Sequence, residues 1–557
     1  MVRVRAPLRG FQTLGSDVMA GLATVTESLP KGTSLLDREM KTSKSRAGLV
    51  IFLLALLGGL AYIGFQVTKD LDNVTITSVW PYLLLALALF IALGFEFVNG
   101  FHDTANAVAT VIYTHSLEPR LAVVWSGLCN LAGVLVSSGT VAYAIVALLP
   151  VELILRISSG DGYPLVFALL IAAILWNLGT WWFGLPASSS HTMVGSIMGV
   201  GLANQLLSPH TVTSGVDWAQ AIKVLEVLLV SPIMGFVLAG VLILISKRLL
   251  KYPSLYEAPR NQDPPPFPIR ALMVITCTGV SFFHGSNDGQ KGMGLIMLIL
   301  IGTVPTAYAL NHAVSPFEVR DFIAASQQTG RILDRYASPS AAPATDARAE
   351  VMAYIRNGRV RPATLPALRD LVRNVSREVA PYKVLQAVPP QDQTRVRNDM
   401  YVAGEAIQML EKKHNPAFTA AEIAALDSYR GKLDKSIKFI PDWVKVAVAL
   451  ALGLGTMVGW KRVVVTVGEK IGKEHLSYAQ GASAGLVAMG TIFLADNFGL
   501  PVSTTHILSS GVAGTMAANG SGLHLSTVRN IAAGWVFTLP AAALLSGLLY
   551  CLFRCFA

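Results

Sequence analysis

Charged residues are scarce in this sequence, and the scarcity argues against a soluble fold. Asp, Glu, Lys and Arg make up 14% of its 557 residues, whereas soluble domains carry about 25%. The four cysteines show no metal-binding spacing and the sequence contains no HExxH motif, which disfavours a metal-dependent hydrolase. The formal charge is +10 but no separate basic domain is visible, so nucleic acid is not an expected partner.

Long apolar runs are abundant instead, and they predict an all-α polytopic membrane protein. A bilayer core is crossed by roughly 20 apolar residues of helix. The run at 48–67 lacks a convincing cleavage site, so we interpret it as an extra transmembrane helix after a polar tail at 1–47. Runs of suitable length cover 48–67, 82–100, 121–149, 164–183, 222–246, 292–310, 441–459, 478–495 and 530–553.

The loops indicate an orientation in the inner membrane. Lys and Arg collect in 247–270, a linker, and in 460–475, so both read as cytoplasmic, whereas 150–163 and 207–221 read as periplasmic. Residues 311–440 are charged and helical in pattern, and we interpret them as a soluble insertion. Counting segments puts the insertion in the periplasm, although its own Lys and Arg content argues weakly for the other side.

The membrane part contains an internal repeat, at 82–246 and again at 271–310 with 441–553. Gly100–Ala107 aligns with Gly285–Gly292, and Gly184–His191 aligns with Gly499–His506. The two motifs are 88 residues apart in the first copy and 218 in the second, and the difference equals the 130 residues of the insertion. The same segment count gives the copies opposite directions, which is typical of secondary transporters with broken helices and a midplane site.

The first motif of each copy places polar residues at membrane depth, where each ionisable side chain costs roughly 2.5–3.5 kcal/mol and is functional by default. A carboxylate there can take up a proton or another cation. The alternative is a buried polar network between packed helices. In a continuous helix, Glu96, Asn99, Asp103 and Asn106 would share one face. We predict cation or proton coupling at Glu96, His102, Asp103, Asp288 and Lys291.

The second motif of each copy, Pro-Ala-Ser-Ser-Ser-His and Pro-Val-Ser-Thr-Thr-His, predicts the start of a helix inside the membrane. Free N–H groups, a positive dipole end and hydroxyl donors suit a tetrahedral oxyanion. The alternative is ordinary helix capping, and His191 and His506 could be proton carriers or structural residues. The predicted anion-binding residues are Ser189, Ser190, Thr504, Thr505, Asn106, Asn287 and Gln290.

Together these motifs resemble the PiT family of inorganic phosphate transporters, and most closely its bacterial low-affinity permeases. The resemblance covers about 82–310 and 441–553. It implies an inverted-repeat fold, phosphate near the pseudo-twofold axis and a cation gradient as driving force. Carried onto this chain, the family's site falls on Asp103, Asn106, Asp288, Ser189/Ser190 and Thr504/Thr505.

The sequence departs from the sodium-coupled members of that family at two positions. His102 stands where their motif has Asn, and Lys291 stands where it has a second Asn. We hypothesise that the Lys291 ammonium replaces one bound sodium, so that protons drive uptake, and that Asn106 faces Lys291 across the repeat. The bacterial branch also resembles carriers of neutral metal–phosphate complexes.

The expected partners are phosphate, a coupling cation and membrane lipid, with a homodimer possible. No cofactor is expected, and whether a metal binds stays open. A sodium-coupled phosphate symporter, a sulfate or related oxyanion permease, and a passive anion channel remain alternatives.

Overall fold

The computed structural model describes residues 34, 36, 46–72, 79–149, 153–154, 162–207, 216–259, 263–337 and 346–555. Almost all of the predicted tail at 1–47 falls outside them, as do parts of the loops at 150–163 and 207–221. Within these ranges the chain is all-helical apart from one isolated β-bridge between Gly472 and Leu523.

Eight of the described helices are long and apolar enough to cross a membrane. A ninth span results if Asp442–Thr456 and Lys461–Lys470, which meet at 56°, cross as one bent segment. The first half comprises α1 Arg46–Leu71, α2 Trp80–Asp103, α3 Ala105–Tyr113, α4 Pro119–Val136, α5 Thr140–Val146, α6 Tyr163–Trp182, α7 Ser189–Leu207 and α8 Trp218–Leu249.

The second half contains the insertion. It begins with α9 Phe267–Thr303 and α10 Pro305–Tyr308. The insertion folds as α11 Pro316–Tyr336, α12 Ala347–Asn357, α13 Thr364–Val379, α14 Pro390–Lys413 and α15 Ala420–Ile437. The membrane part resumes with α16 Asp442–Thr456, α17 Lys461–Val465, a π-helical turn at Thr466–Lys470, α18 Tyr478–Asn497, α19 Thr504–Asn519 and α20 Leu525–Arg554.

Glycine residues allow helices of one half to pack closely against helices of the other half. The short buried helix α7 packs along α20, and its counterpart α19 packs along α8. A Cβ on Gly199 would lie 2.0 Å from the Ala543 carbonyl oxygen, and a Cβ on Gly514 would lie 2.1 Å from that of Phe236. Backbone contact this close is possible because glycine lacks a Cβ atom, and it holds each broken-helix segment against a long helix of the other half.

The helices that carry the first motifs run in opposite directions. The Tyr163 hydroxyl contacts both the Pro81 carbonyl at the start of α2 and Thr303 at the end of α9. At the other end, the Arg270 guanidinium donates to the Ser116 carbonyl, 2.9 Å away, just beyond α3. The first residues of α2–α3 therefore lie beside the last residues of α9.

The insertion and the Lys/Arg-rich loops lie at opposite ends of the membrane part. The Tyr143 hydroxyl of α5 donates to the Phe439 carbonyl that follows the insertion, at 2.8 Å. At the far end, Lys247 donates to the Asn519 carbonyl at 3.0 Å. We call the end with the insertion the outer end and the end with the loops at 247–270 and 460–475 the inner end, as labels of position in the molecule.

The helix that carries residues 96–106 continues through Thr104, whose backbone stays helical, so Trp80–Tyr113 forms one span. The Thr104 hydroxyl donates to the carbonyls of Gly100 (2.7 Å) and Thr456 (2.9 Å). The apolar run at 121–149 does not form one helix as predicted. It forms two helices separated at Gly139, whose φ of 87° suits glycine, and hydropathy alone does not detect this break.

Candidate functional site

Two helices begin in the buried centre of the membrane part, as the second motifs predict. α7 begins at Ser189 and α19 at Thr504. In each helix a serine just before the start accepts a backbone N–H three residues later: Ser188 from His191 and Ser503 from His506, both at 3.2 Å. A serine side chain therefore caps each helix, and the proline of each motif lies before that serine.

The two motif aspartates meet at these helix starts. The Ser189 hydroxyl lies 3.0 Å from Asp103 Oδ2 and 3.2 Å from Asp288 Oδ2, so one hydroxyl joins the carboxylates of both halves. The Thr505 hydroxyl donates to Asp103 Oδ1 at 2.6 Å and accepts from Asn106 Nδ2 at 2.9 Å. A hydroxyl has a single proton, so Ser189 can satisfy one carboxylate at a time.

Lys291 lies inside this cluster and is 1% exposed. Its Nζ atom is 2.6 Å from Asp288 Oδ1 and 2.5 Å from the Ser190 hydroxyl. The Ser190 hydroxyl in turn donates to the Val502 carbonyl at 2.8 Å, in the segment before α19. The ammonium therefore stabilises the carboxylate of the second copy and links it to both helix starts.

Histidines surround the carboxylate pair. Among the described residues, His284 Nε2 has no hydrogen-bond partner. It lies 3.5 Å from Asp103 Oδ2 and 3.7 Å from Asp288 Oδ2, while His284 Nδ1 is 2.8 Å from Asn130 Oδ1. One ligand atom from each of Asp103, His284 and Asp288 falls within a 4.8 Å cluster, which matches the donor set of a divalent cation. His102 Nδ1 contacts Asp103 at 3.2 Å from the opposite side.

Hydrogen bonds close the site toward the outer end. The Asp496 carboxylate accepts from the Ser286 hydroxyl at 2.6 Å and from Gln290 Nε2 at 2.9 Å. Gln290 Oε1 in turn accepts the Val141 backbone N–H at 2.9 Å, which joins the start of α5 to α9 and α18. We call Ser286, Gln290, Asp496 and Val141 the outer closure.

Aromatic contacts close the site toward the inner end. Phe101 and Trp181 meet edge to face with ring centroids 5.2 Å apart, and Trp181 Nε1 donates to the Gly459 carbonyl at 2.7 Å. The Arg462 guanidinium lies 5.1 Å from the Trp181 ring. We call Phe101, Trp181, Gly459 and Arg462 the inner closure. Asp103 and Asp288 are at most 2% exposed, so the site is shut on both sides.

The predicted site residues fall into two groups. The residues that the structure gathers at the carboxylate pair are Asp103, Asp288, Lys291, Ser189, Ser190, Thr505, Asn106 and His102. Thr504 begins α19 beside them, and its hydroxyl has no hydrogen-bond partner within the described ranges.

The remaining predicted residues lie to the side of this cluster. Asn287 Nδ2 donates to the Leu500 carbonyl at 3.1 Å and so supports the segment before α19, while Gln290 belongs to the outer closure. Glu96 is fully buried against Gly292, and its Oε2 accepts from Asn99 at 3.4 Å. Asn106 and Lys291, which correspond in the repeat, have different partners: Asn106 contacts Thr505, whereas Lys291 contacts Asp288 and Ser190.

Sequence reasoning missed two polar residues near the site. Asn130 interrupts the apolar run at 121–149 and holds His284, and a polar side chain at that depth was the available signal. Asp496 follows the run at 478–495 directly, so it resembles an ordinary loop residue. The outer closure that it forms depends on contacts with α9, which the sequence does not display.

The charges of the cluster suit a co-transported cation. Two carboxylates and one ammonium leave a net charge of −1 when the histidines are neutral. An oxyanion approaching the hydroxyls and the two helix starts therefore meets uncompensated negative charge. One proton or metal cation on Asp103, Asp288 or His284 removes it, so binding of anion and cation is coupled by electrostatics.

Comparison with known proteins gives consistent matches. The model of the Phosphate transporter family matches residues 99–546. Two relatives from Escherichia coli (strain K12) are each 41% identical to this chain. The alignment with "Low-affinity inorganic phosphate transporter PitA" covers 84% of this chain and 96% of that relative. The alignment with "Low-affinity inorganic phosphate transporter PitB" covers 85% of this chain and 97% of that relative. A solved structure titled "The sodium-dependent phosphate transporter" aligns with a TM-score of 0.46 and 19% identity, over 85% of this chain and 100% of that one.

Proposed function

This chain belongs to the Phosphate transporter family, and on that premise we propose that it imports inorganic phosphate across the inner membrane by symport with protons. It is a transporter rather than an enzyme. One observation carries the proposal. Two helix starts and the carboxylates of two halves meet around the hydroxyls of Ser189 and Thr505 in a site closed on both sides.

Phosphate suits this site because it presents both acceptors and a donor. Its oxygens can accept hydrogen bonds from the free N–H groups of the two helix starts and from the Thr504 hydroxyl. The hydroxyls of Ser189, Ser190 and Thr505 can also donate to it once they turn away from Asp103, Asp288 and the Val502 carbonyl. At neutral pH it also carries a proton, which an ionised carboxylate can accept. Sulfate carries no proton at that pH, so it would leave Asp103 or Asp288 facing an oxygen acceptor, and we expect the site to reject it.

The positive charge that Lys291 already places in the site favours the proton as the coupling ion. Lys291 already places one permanent positive charge 2.6 Å from Asp288. Asp103 has no lysine or arginine partner of this kind within the described residues, and its nearest basic contacts are His102 and His284. We propose that a proton enters this Asp103–histidine group together with phosphate and leaves it on the inner side.

Alternating access through two inverted halves is the proposed mechanism. It is supported by the opposite directions of α2–α3 and α9 and by the reciprocal packing of α7 on α20 and of α19 on α8. Release of the outer closure would open the site to one side, and release of the inner closure to the other. The closures differ in chemistry, since the outer one is hydrogen-bonded and the inner one is aromatic.

A metal–phosphate complex is a second candidate substrate, favoured by one observation. Asp103, His284 and Asp288 already hold three donor atoms within 4.8 Å of one another. A divalent metal arriving with phosphate would be cargo at this cluster, and it would supply the positive charge that the proton supplies in the first proposal. The metal would then raise phosphate uptake directly, in the absence of a proton gradient.

Uptake of labelled phosphate into proteoliposomes containing the purified protein distinguishes these proposals. We expect an inward proton gradient alone to drive accumulation above the equilibrium level, and an uncoupler to abolish it. Unlabelled sulfate in excess should compete little. Sodium-dependent uptake that is indifferent to pH would reject proton coupling, a strict requirement for a divalent metal would favour the complex, and uncoupler-resistant equilibration would indicate a channel.

A further inference from the structure

A polar pocket at the outer end, about 830 Å³ in volume, is separate from the transport site. It lies where α1 ends, where α9 passes through α10 into the insertion, and where α16 begins. We call it the outer pocket. Its polar lining comprises Lys69, Asp70, Thr306, Asn311, His312, Gln386, Gln393 and Asp442.

Three polar atoms of this lining are buried without a hydrogen-bond partner in the part of the chain that the structure describes: Thr306 Oγ1, His312 Nε2 and Gln393 Oε1. Gln393 is 3% exposed, and its amide nitrogen donates to the Val388 carbonyl at 2.9 Å. That bond fixes the amide orientation, so Gln393 offers an acceptor oxygen to the pocket. Buried polar atoms are nearly always paired, and a polar ligand in the pocket would satisfy these three.

The pocket presents charges of both signs. Lys69 is its cation, while Asp70 and Asp442 are its anions. The Asp70 carboxylate accepts from the Tyr308 hydroxyl at 2.5 Å and from Trp443 Nε1 at 3.1 Å, which leaves Asp442 as the less satisfied carboxylate. Burial lowers the pKa of His312, which keeps its ring neutral at pH 7. The lining thus matches a ligand that carries a negative group and a hydrogen-bearing positive group.

The outer pocket lies at the level where the membrane meets water. Lys69 and Asp70 are in the last turn of the span Arg46–Leu71, and Thr306 follows the end of the span Phe267–Thr303. Tyr308 and Trp443 line the pocket, and aromatic residues of these types collect at lipid headgroup depth. α1 packs on α16 through Gly59 and Leu450 and otherwise exposes apolar side chains such as Phe65, which leaves room for acyl chains beside it.

From this we infer that the outer pocket binds the headgroup of a phospholipid that carries a primary ammonium, as in phosphatidylethanolamine. The lipid phosphate pairs with Lys69, and the ammonium donates to Gln393 Oε1 and to the Asp442 carboxylate. A quaternary ammonium has no N–H group to donate, and an anionic glycerol headgroup has no positive charge for Asp442. The bound lipid would hold the end of α1 to the insertion, whatever the protein transports.

Native mass spectrometry of the delipidated full-length protein tests this inference. The protein is titrated with phosphatidylethanolamine, phosphatidylcholine and phosphatidylglycerol of identical acyl chains. We expect one phosphatidylethanolamine to bind at least tenfold more tightly than either of the other lipids. Equal binding of the three lipids, or preference for phosphatidylglycerol, would overturn the inference.

Variants locate the binding. Thr306→Val removes an unpartnered hydroxyl at nearly constant shape, so folding should be retained, and Lys69→Gln removes the cation. We expect each to weaken phosphatidylethanolamine binding about tenfold, whereas Lys383→Gln, at an exposed lysine of the insertion outside the pocket lining, should leave it unchanged. Unaltered binding in both pocket variants would place the lipid elsewhere and contradict the inference.

A competition experiment distinguishes binding of the lipid from binding of soluble ligands with the same headgroup chemistry. Free phosphoethanolamine and inorganic phosphate are added at millimolar concentration to the protein–lipid complex. Retention of the lipid supports a headgroup site that is anchored by acyl chains. Displacement by inorganic phosphate alone would mean that the pocket is a soluble oxyanion site, and would reject the lipid.

Discussion

Replacing Lys291 by asparagine should change which cation drives uptake. The Nζ–Oδ1 distance to Asp288 is 2.6 Å, and Coulomb's law at an effective dielectric of about 20 gives roughly 6 kcal/mol of attraction. Removing one member of a buried pair costs about 3–5 kcal/mol, because the other charge stays buried. If about 3 kcal/mol of this cost is added to the activation free energy of the transport cycle, kcat/KM for proton-driven uptake drops by roughly 150-fold.

The same variant should acquire a dependence on sodium. Asparagine restores the residue that the sodium-coupled pattern has at this position, and an unpaired Asp288 carboxylate can bind a metal cation in place of the ammonium. The assay is initial-rate phosphate uptake into proteoliposomes, with and without external sodium, for Lys291→Asn and for the unmodified protein. We expect sodium to stimulate the variant at least tenfold and to leave the unmodified protein unaffected.

Two controls make the result interpretable. Lys223→Asn changes an exposed lysine of α8 and should transport normally. Asp288→Asn combined with Lys291→Asn removes both charges, so it should be more stable to heat than Lys291→Asn alone, and it should be inactive with either cation because no carboxylate is left to bind one at position 288. Proton-driven uptake by Lys291→Asn within threefold of the unmodified rate would refute the role assigned to the ammonium.

Three further predictions follow from the same structure. Gly285→Ala should lower the unfolding temperature by several degrees, since its Cβ would lie 2.1 Å from the Asn130 carbonyl oxygen, whereas Gly94→Ala meets no atom within 4 Å and should be neutral in the same melting assay. Burial raises the pKa of Glu405 in the insertion, so the stability gained from its protonated form is lost as pH rises from the ordinary glutamate pKa of about 4.3 through that raised pKa. Across this interval the melting temperature should decline less steeply in Glu405→Gln than in the unmodified protein. Asp496→Ala should expose the site from the outer end, and Phe101→Ala should expose it from the inner end. The measurement is side-specific labelling, with an impermeant thiol reagent, of a single cysteine placed in the first turn of α7. Labelling from the same side in both variants would contradict the two closures.

The sequence predicted the centre of the site better than its surroundings. Equal motif spacing after removal of the insertion implied that Asp103 and Asp288 belong together, and the structure joins them through Ser189. Helix starts at Ser189 and Thr504 were predictable, because serine and threonine before an apolar run cap helices at any depth.

Contacts between the halves were not predictable in the same way. Lys291 is three residues from Asp288 on the same helix and pairs with it, whereas the repeat alone suggested Asn106 as its counterpart. Asp496 resembled a loop residue until α9 brought Ser286 and Gln290 beside it. Local sequence patterns predict helices and their ends. The packing of α5 and α17 over the site depends instead on contacts between residues that are far apart in the sequence.

An experimental map of the purified protein with bound phosphate, obtained by cryo-electron microscopy, tests the central claim most directly. We expect density for one phosphate within hydrogen-bond distance of hydroxyls from both helix starts, Ser189 or Ser190 on one side and Thr504 or Thr505 on the other. We also expect the Lys291–Asp288 pair to be intact beside that density. Phosphate held by one half alone, or bound away from both helix starts in protein that transports, would contradict the account.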